Sequence, residues 1–140
     1  MVVESGSEAE TVAAGARLGS ELRAGAIVLL DGELGAGKTA FVRGLASGLG
    51  ADPHDVSSPT FTILQQYRGR LVLHHADLYR LTPPEVADLG LDEISADGVL
   101  AIEWPERLPF AFGEVVRVAI EPTGDASRRI TIASASRPRL

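Results

Sequence analysis

AIVLLDGELGAGKTAFVRGLASGL, residues 26–49, decides the fold. Its first part, AIVLLDG, opens with a short apolar run, AIVLL, of the kind that makes a strand buried on both faces. Its last part, TAFVRGLASGL, reads as a helix that stops at Gly50 and Asp52-Pro53. The residues between them, Gly32, Glu33, Leu34, Gly35, Ala36, Gly37, Lys38 and Thr39, satisfy the pattern G-x-x-x-x-G-K-[ST] in the strand-to-helix context that gives the pattern its meaning.

The chemistry of that loop follows from its residue types. Glycines let successive backbone N–H groups turn inward around a phosphate, and the helix that follows aims its positive dipole end at the same anion. The contact set therefore runs from Glu33 through Leu34, Gly35, Ala36, Gly37, Lys38 and Thr39 to Ala40. Lys38 is the only lysine in a chain with twelve arginines. A slender ammonium reaches the β- and γ-phosphates, where a planar guanidinium would not pack the same way. The Thr39 hydroxyl is placed to bind Mg²⁺.

Metal-assisted phosphoryl chemistry needs a further carboxylate and a group to orient the attacking oxygen. Two acidic residues end apolar strands: Glu103 closes VLAIE, and Asp77 closes LVLHHAD. In open α/β sheets ligands gather at strand ends, so either carboxylate can face the phosphates. Which one touches the metal and which orients water stays open, as does the reading of each as a solvated residue at a strand exit. Thr60, in SSPTFT (57–62), is a candidate switch-loop hydroxyl stiffened by Pro59, or part of a plain turn. His74 and His75 are adjacent in a strand and point to opposite faces, so they cannot grip one ion and read as structural. Trp104, the only tryptophan, follows Glu103 and is either a reporter beside the site or core.

Composition bounds the rest. The 140 residues fit one domain, which at this length buries roughly two-thirds of its unfolded surface. An apolar share of 45% with 23% charged residues is globular, and a net charge of −6 argues against a chain that coats nucleic acid or a membrane surface. The absence of cysteine excludes disulfides and thiolate sites. No basic-then-apolar leader or membrane-length apolar run is evident, which makes a cytoplasmic protein the expectation. There is no asparagine, so the N-K-x-D element that reads guanine is missing and ATP is the expected nucleotide, with ADP as product.

Around the decisive stretch, Ser7 with Glu10 starts a helix over about 8–23. FTILQQY and RLVLHHADLYR, separated by Arg68 and Gly69, suit a hairpin, and Thr82 to Glu85 start another helix. GVLAIEW is a buried strand, and VVRVAIE and RRITIAS form a closing hairpin through PTGDAS. The expectation is a single three-layer, P-loop NTPase-like α/β domain on a mixed, largely parallel sheet, with its core over about 8–133 and a loose tail over 134–140.

GELGAGKT, SSPTF, HADLYR and IEWPERL, in that order and spacing, resemble the TsaE (YjeE) family, the P-loop ATPases of bacterial tRNA threonylcarbamoyladenosine biosynthesis. The resemblance covers about residues 8–133. It implies a Mg²⁺-dependent ATPase, slow alone, that works with TsaB and TsaD while that complex attaches threonylcarbamoyl to adenosine 37 of tRNA. The tRNA would be met indirectly, through the complex, and the chain would not be the transferase. By motif, Lys38 and Thr39 would hold phosphate and Mg²⁺, Asp77 and Glu103 would serve metal and water, Thr60 would lie in a switch-like loop, and Trp104 would lie beside the nucleotide. Two other readings of the same residues stay open: a small-molecule kinase with Asp77 as base, and a nucleotide-gated binding module without turnover.

Overall fold

A computed structural model describes residues 1–33, 35–52, 64–94 and 97–136. Its centre is the buried strand β2 (Ile27–Asp31), which leads through the glycine loop into helix α2 (Lys38–Gly48). Before it come β1 (Val2–Ser5) and helix α1 (Glu8–Glu21). After it come β3 (Leu64–Tyr67), β4 (Val72–Asp77), the short helices α3 (Pro83–Ala87) and α4 (Leu91–Ile94), β5 (Gly98–Glu103), β6 (Glu114–Pro122) and β7 (Arg128–Ser136). One seven-stranded sheet runs in the order β1-β7-β6-β2-β5-β4-β3. Its four central strands, β6, β2, β5 and β4, are parallel, and antiparallel pairings finish both edges.

Alternation along the central strands sorts the core into the expected layers. Val28, Leu30, Leu73, Val99 and Ala101 face α1 and α2, where Phe41, Val42 and Leu45 meet them. Ile27, Leu29, Ala76, Leu100 and Ile102 face the other side, under Leu81 and under Val86 and Leu91 of the short helices. Every residue of β5 is buried, as a strand covered on both faces requires.

Helices α1 and α2 pack closely because each carries small residues at a four-residue spacing, Gly15 and Gly19 on one and Gly44 and Gly48 on the other. A Cβ on Gly44 would lie 2.1 Å from the Val12 carbonyl oxygen, and one on Gly15 2.3 Å from that of Phe41. The contact seats α2, and with it the loop, against the sheet.

Local signals hold where they concern helix starts. Ser7 Oγ accepts the Glu10 N–H at 3.1 Å, and Glu10 Oε2 accepts the Gly6 N–H at 2.8 Å. Glu85 Oε1 accepts both the N–H and the hydroxyl of Thr82. Three boundaries differ from expectation for non-local reasons. The first four-residue strand, β1, lies outside the expected core, and its ordering comes from pairing with β7. Strand β7 continues to Ser136 because β6 pairs with it as far as Glu114, so residues 134–136 are not tail. The β3–β4 turn is longer than Arg68-Gly69, because Arg70 is drawn out of the ladder: its N–H bonds to Leu49 O at 2.6 Å, and its guanidinium donates to Gly19 O and Leu22 O at the end of α1.

Candidate active site

The loop between β2 and α2 closes on Gly37, whose φ of 105° is left-handed and favours glycine. No side chain caps the start of α2, and its first turn holds no acidic residue. That turn instead begins with Lys38, a cation placed where the helix dipole already carries positive charge. At the helix start itself the arrangement is unfavourable, and it needs negative charge nearby.

Lys38 is 5% exposed, and its Nζ makes no hydrogen bond among the described residues. It lies 3.7 Å from Glu103 Oε1 and 4.3 Å from the centre of the Trp104 ring, a cation–π contact. An ammonium with three unspent donors, held by charge alone, is the donor set a phosphate oxygen completes.

The sheet supplies the acidic side. Asp77 and Glu103 are directly paired across β4 and β5, so both carboxylates lie on the face toward α2. His75, two residues before Asp77, shares that face, and its Nε2 is 2.6 Å from Glu103 Oε2 in a buried contact. Glu103 thus joins the helix lysine to a strand histidine. Asp77 Oδ1 accepts the Tyr79 N–H at 3.0 Å. Burial pushes the Asp77 carboxyl above its ordinary range and the neighbouring Glu103 charge adds to this, while the Tyr79 N–H, His75 and Lys38 act in the opposite direction. Trp104 takes a left-handed backbone at φ 60° to begin a 3-10 turn over Pro105–Arg107, and it packs on Tyr79 with ring centres 4.8 Å apart.

A cavity of about 490 Å³ brings together Gly35, Gly37, Lys38, Thr39, Ala40, Asp77, Glu103 and Trp104 from the sequence-derived set. Glu33 lies outside it, exposed, and its carbonyl accepts the Ala36 N–H at 3.1 Å; the Ala36 side chain is fully buried. Leu34 and Thr60 lie outside the described residues. His74 is buried on the opposite face from His75, as alternation requires, and neither of its ring nitrogens has a partner among the described residues.

Sequence reasoning missed several residues at this cavity. Glu8 and Thr11 reach it from α1, Asp125 and Ala126 from the β6–β7 turn, and Arg128 from the start of β7. Arg43 of α2 also lines it and pairs with Glu8 at 2.8 Å. Nothing local marks Glu8, Thr11, Asp125, Ala126 or Arg128, because they come to the loop through the β1–α1 entry and the closing hairpin.

The described residues contain no cluster of three or more His, Cys, Asp or Glu side chains arranged to hold a metal ion, and no helix long and apolar enough to cross a membrane. A Mg²⁺ ion here would take one protein carboxylate, the Thr39 hydroxyl and phosphate oxygens, as such ions do beside nucleotides. The residues present fit that donor set.

A parallel strand, a glycine loop and a helix begun by Lys38-Thr39 at the centre of a mixed sheet define an α/β domain of the P-loop type. The family model described as "Threonylcarbamoyl adenosine biosynthesis protein TsaE" matches residues 5–130, and the chain belongs to that family. It is 43% identical over 129 residues to a tRNA threonylcarbamoyladenosine biosynthesis protein TsaE from Nostoc sp., covering 87% of this chain and 78% of that one. It is also 43% identical over 132 residues to the protein so named from Treponema pallidum, covering 92% and 97%. The crystal structure of Bacillus subtilis YdiB superposes with a TM-score of 0.75 at 34% identity, covering 98% of this chain and 86% of that one.

Proposed function

We propose that the chain is the ATP-binding, ATP-hydrolysing component of tRNA threonylcarbamoyladenosine formation. Membership of the TsaE family supports the pathway. The observation that carries the nucleotide chemistry is the buried Lys38 ammonium, which has no hydrogen-bond partner among the described residues and is set at the start of α2 beside Glu103.

Each residue then has a part. Backbone N–H groups of the loop hold the phosphate chain, and Lys38 turns from Glu103 and Trp104 to the β- and γ-oxygens. Thr39 and Glu103 are the residues that would hold Mg²⁺, and the ion would supply neutralisation of phosphate charge. His75 fixes the rotamer of Glu103 through its 2.6 Å contact. Asp77 orients the attacking water, a role suited to a carboxyl whose affinity for protons is raised by burial.

The partners in this proposal are TsaB and TsaD, with tRNA held by that complex; an acidic chain of net charge −6 is consistent with leaving tRNA contact to others. Hydrolysis is slow alone and rises when the partner surface orders the site. The test is phosphate release by the purified chain with and without TsaB and TsaD, in the presence and absence of tRNA. Stimulation by the complex supports the proposal, and an unchanged rate under every condition contradicts it.

A further inference from the structure

We propose that Arg128 is the positioning residue of the phosphate loop, holding the Ala36–Gly37 peptide plane in the orientation that leaves the Gly37 N–H for the anion. This deepens the proposed nucleotide site and rests on that reading for its ligand.

Arg128 begins β7 and is fixed on both sides, paired with Ser5 of β1 and Pro122 of β6. From this anchorage its guanidinium crosses to the loop. Nε donates to Ala36 O at 2.7 Å and Nη2 to Gly35 O at 3.4 Å, while Nη1 donates to Ser127 O at 2.8 Å, Gly124 O at 3.2 Å and Asp125 O at 3.4 Å. Every acceptor is a main-chain carbonyl, and Arg128 forms no ion pair with a carboxylate among the described residues.

The peptide bond is planar, with its C=O and N–H pointing in opposite directions. A donor that fixes the Ala36 carbonyl toward Arg128 therefore turns the Gly37 N–H to the opposite side, away from the guanidinium. Gly37 is the residue whose left-handed backbone starts α2, and the Arg128 side chain packs over it: a Cβ there would lie 3.5 Å from Nε. The guanidinium fork serves the loop and the β6–β7 turn together, which a single ammonium cannot do. It also brings to the wall of the cavity that Lys38 enters a positive charge with no carboxylate partner among the described residues. Arg128 therefore acts on the anion through the cradle, and its loss is felt in binding before it is felt in chemistry.

The experiment compares the full-length wild type with Arg128→Gln and Arg128→Lys by two readouts: amide hydrogen exchange at Ala36 and Gly37 in the ligand-free protein, and the Kd and single-turnover rate with Mg·ATP. Arg128→Gln is expected to speed exchange at Ala36, whose N–H is bonded to Glu33 O in the loop, and to raise Kd at least tenfold, with the rate at saturating nucleotide within about threefold of wild type. Arg128→Lys falls between the two, and it carries the comparison if Arg128→Gln fails to fold. Unchanged exchange and Kd in a folded variant overturn the inference. So does a lost rate at unchanged Kd, or full rescue by lysine. If the wild type itself binds no nucleotide, the proposed function fails, while exchange at Ala36 still decides whether Arg128 holds the loop.

Discussion

Lys38 and Glu103 face each other at 3.7 Å with side chains 5% and 6% exposed, and the lysine end of the pair makes no hydrogen bond among the described residues. A buried ion pair without full hydrogen bonding is a poor source of stability. Its geometry makes sense as a resting position for a cation that a ligand will claim. When Lys38 leaves, Glu103 keeps its His75 contact on Oε2, and Oε1 is left open.

Lys38→Ala and Lys38→Arg are both expected to weaken Mg·ATP binding by roughly 100-fold, the loss of one or two charge-assisted hydrogen bonds at about 1.5–3 kcal/mol each. Calorimetric titration measures this. Arginine at wild-type affinity would show that charge alone, without the slender stem, satisfies the site.

Glu103→Gln and Asp77→Asn separate an ATPase from a binding module. Each is expected to lower partner-stimulated hydrolysis by about 100-fold or more while nucleotide still binds. Full partner function in variants that bind but do not hydrolyse ATP would favour the module.

Gly44→Ala tests the α1–α2 contact. The added Cβ meets the Val12 carbonyl at 2.1 Å and Ala16 N at 2.8 Å, backbone atoms that cannot move aside alone. The expected loss is about 3 kcal/mol, with a thermal midpoint lower by on the order of 10 °C. A midpoint within a degree of wild type would mean the helices are farther apart than described.

His74 gives the fold an acid-side dependence. Burial lowers its pKa from 6.5, with Asp97 opposing, so the unfolded chain takes up a proton at a pH where the folded chain does not. Stability is therefore complete above about pH 6.5 and declines as pH falls toward the folded value. Urea unfolding from pH 7 to 5 is expected to show a steeper decline for wild type than for His74→Leu. Equal slopes would remove His74 as the cause.

The parts legible in the sequence were those fixed by neighbours along the chain. Strand, glycine loop and helix follow one another over residues 27–48, and capping at Ser7 and Thr82 is a matter of three residues. Asp77 and Glu103 were found as strand ends, but their direct pairing needed the β4–β5 register. The link from His75 to Glu103 needed it too, since alternation alone placed His75 on a face without naming what lay there. Arg128 was out of reach because it meets the loop across 92 residues of chain through the order β7-β6-β2. Strand β1 was hidden likewise, its four residues having too little pattern without β7 beside them.

The most direct test of the central claim uses the single tryptophan, whose ring lies 4.3 Å from the Lys38 ammonium. Emission from Trp104 is followed while Mg·ATP is added to the wild type and to Lys38→Ala. A saturable change in the wild type, absent from the variant, is the predicted result, because phosphate draws the cation off the indole. A wild-type emission that stays flat through millimolar nucleotide, with no heat of binding in parallel calorimetry, would contradict the account.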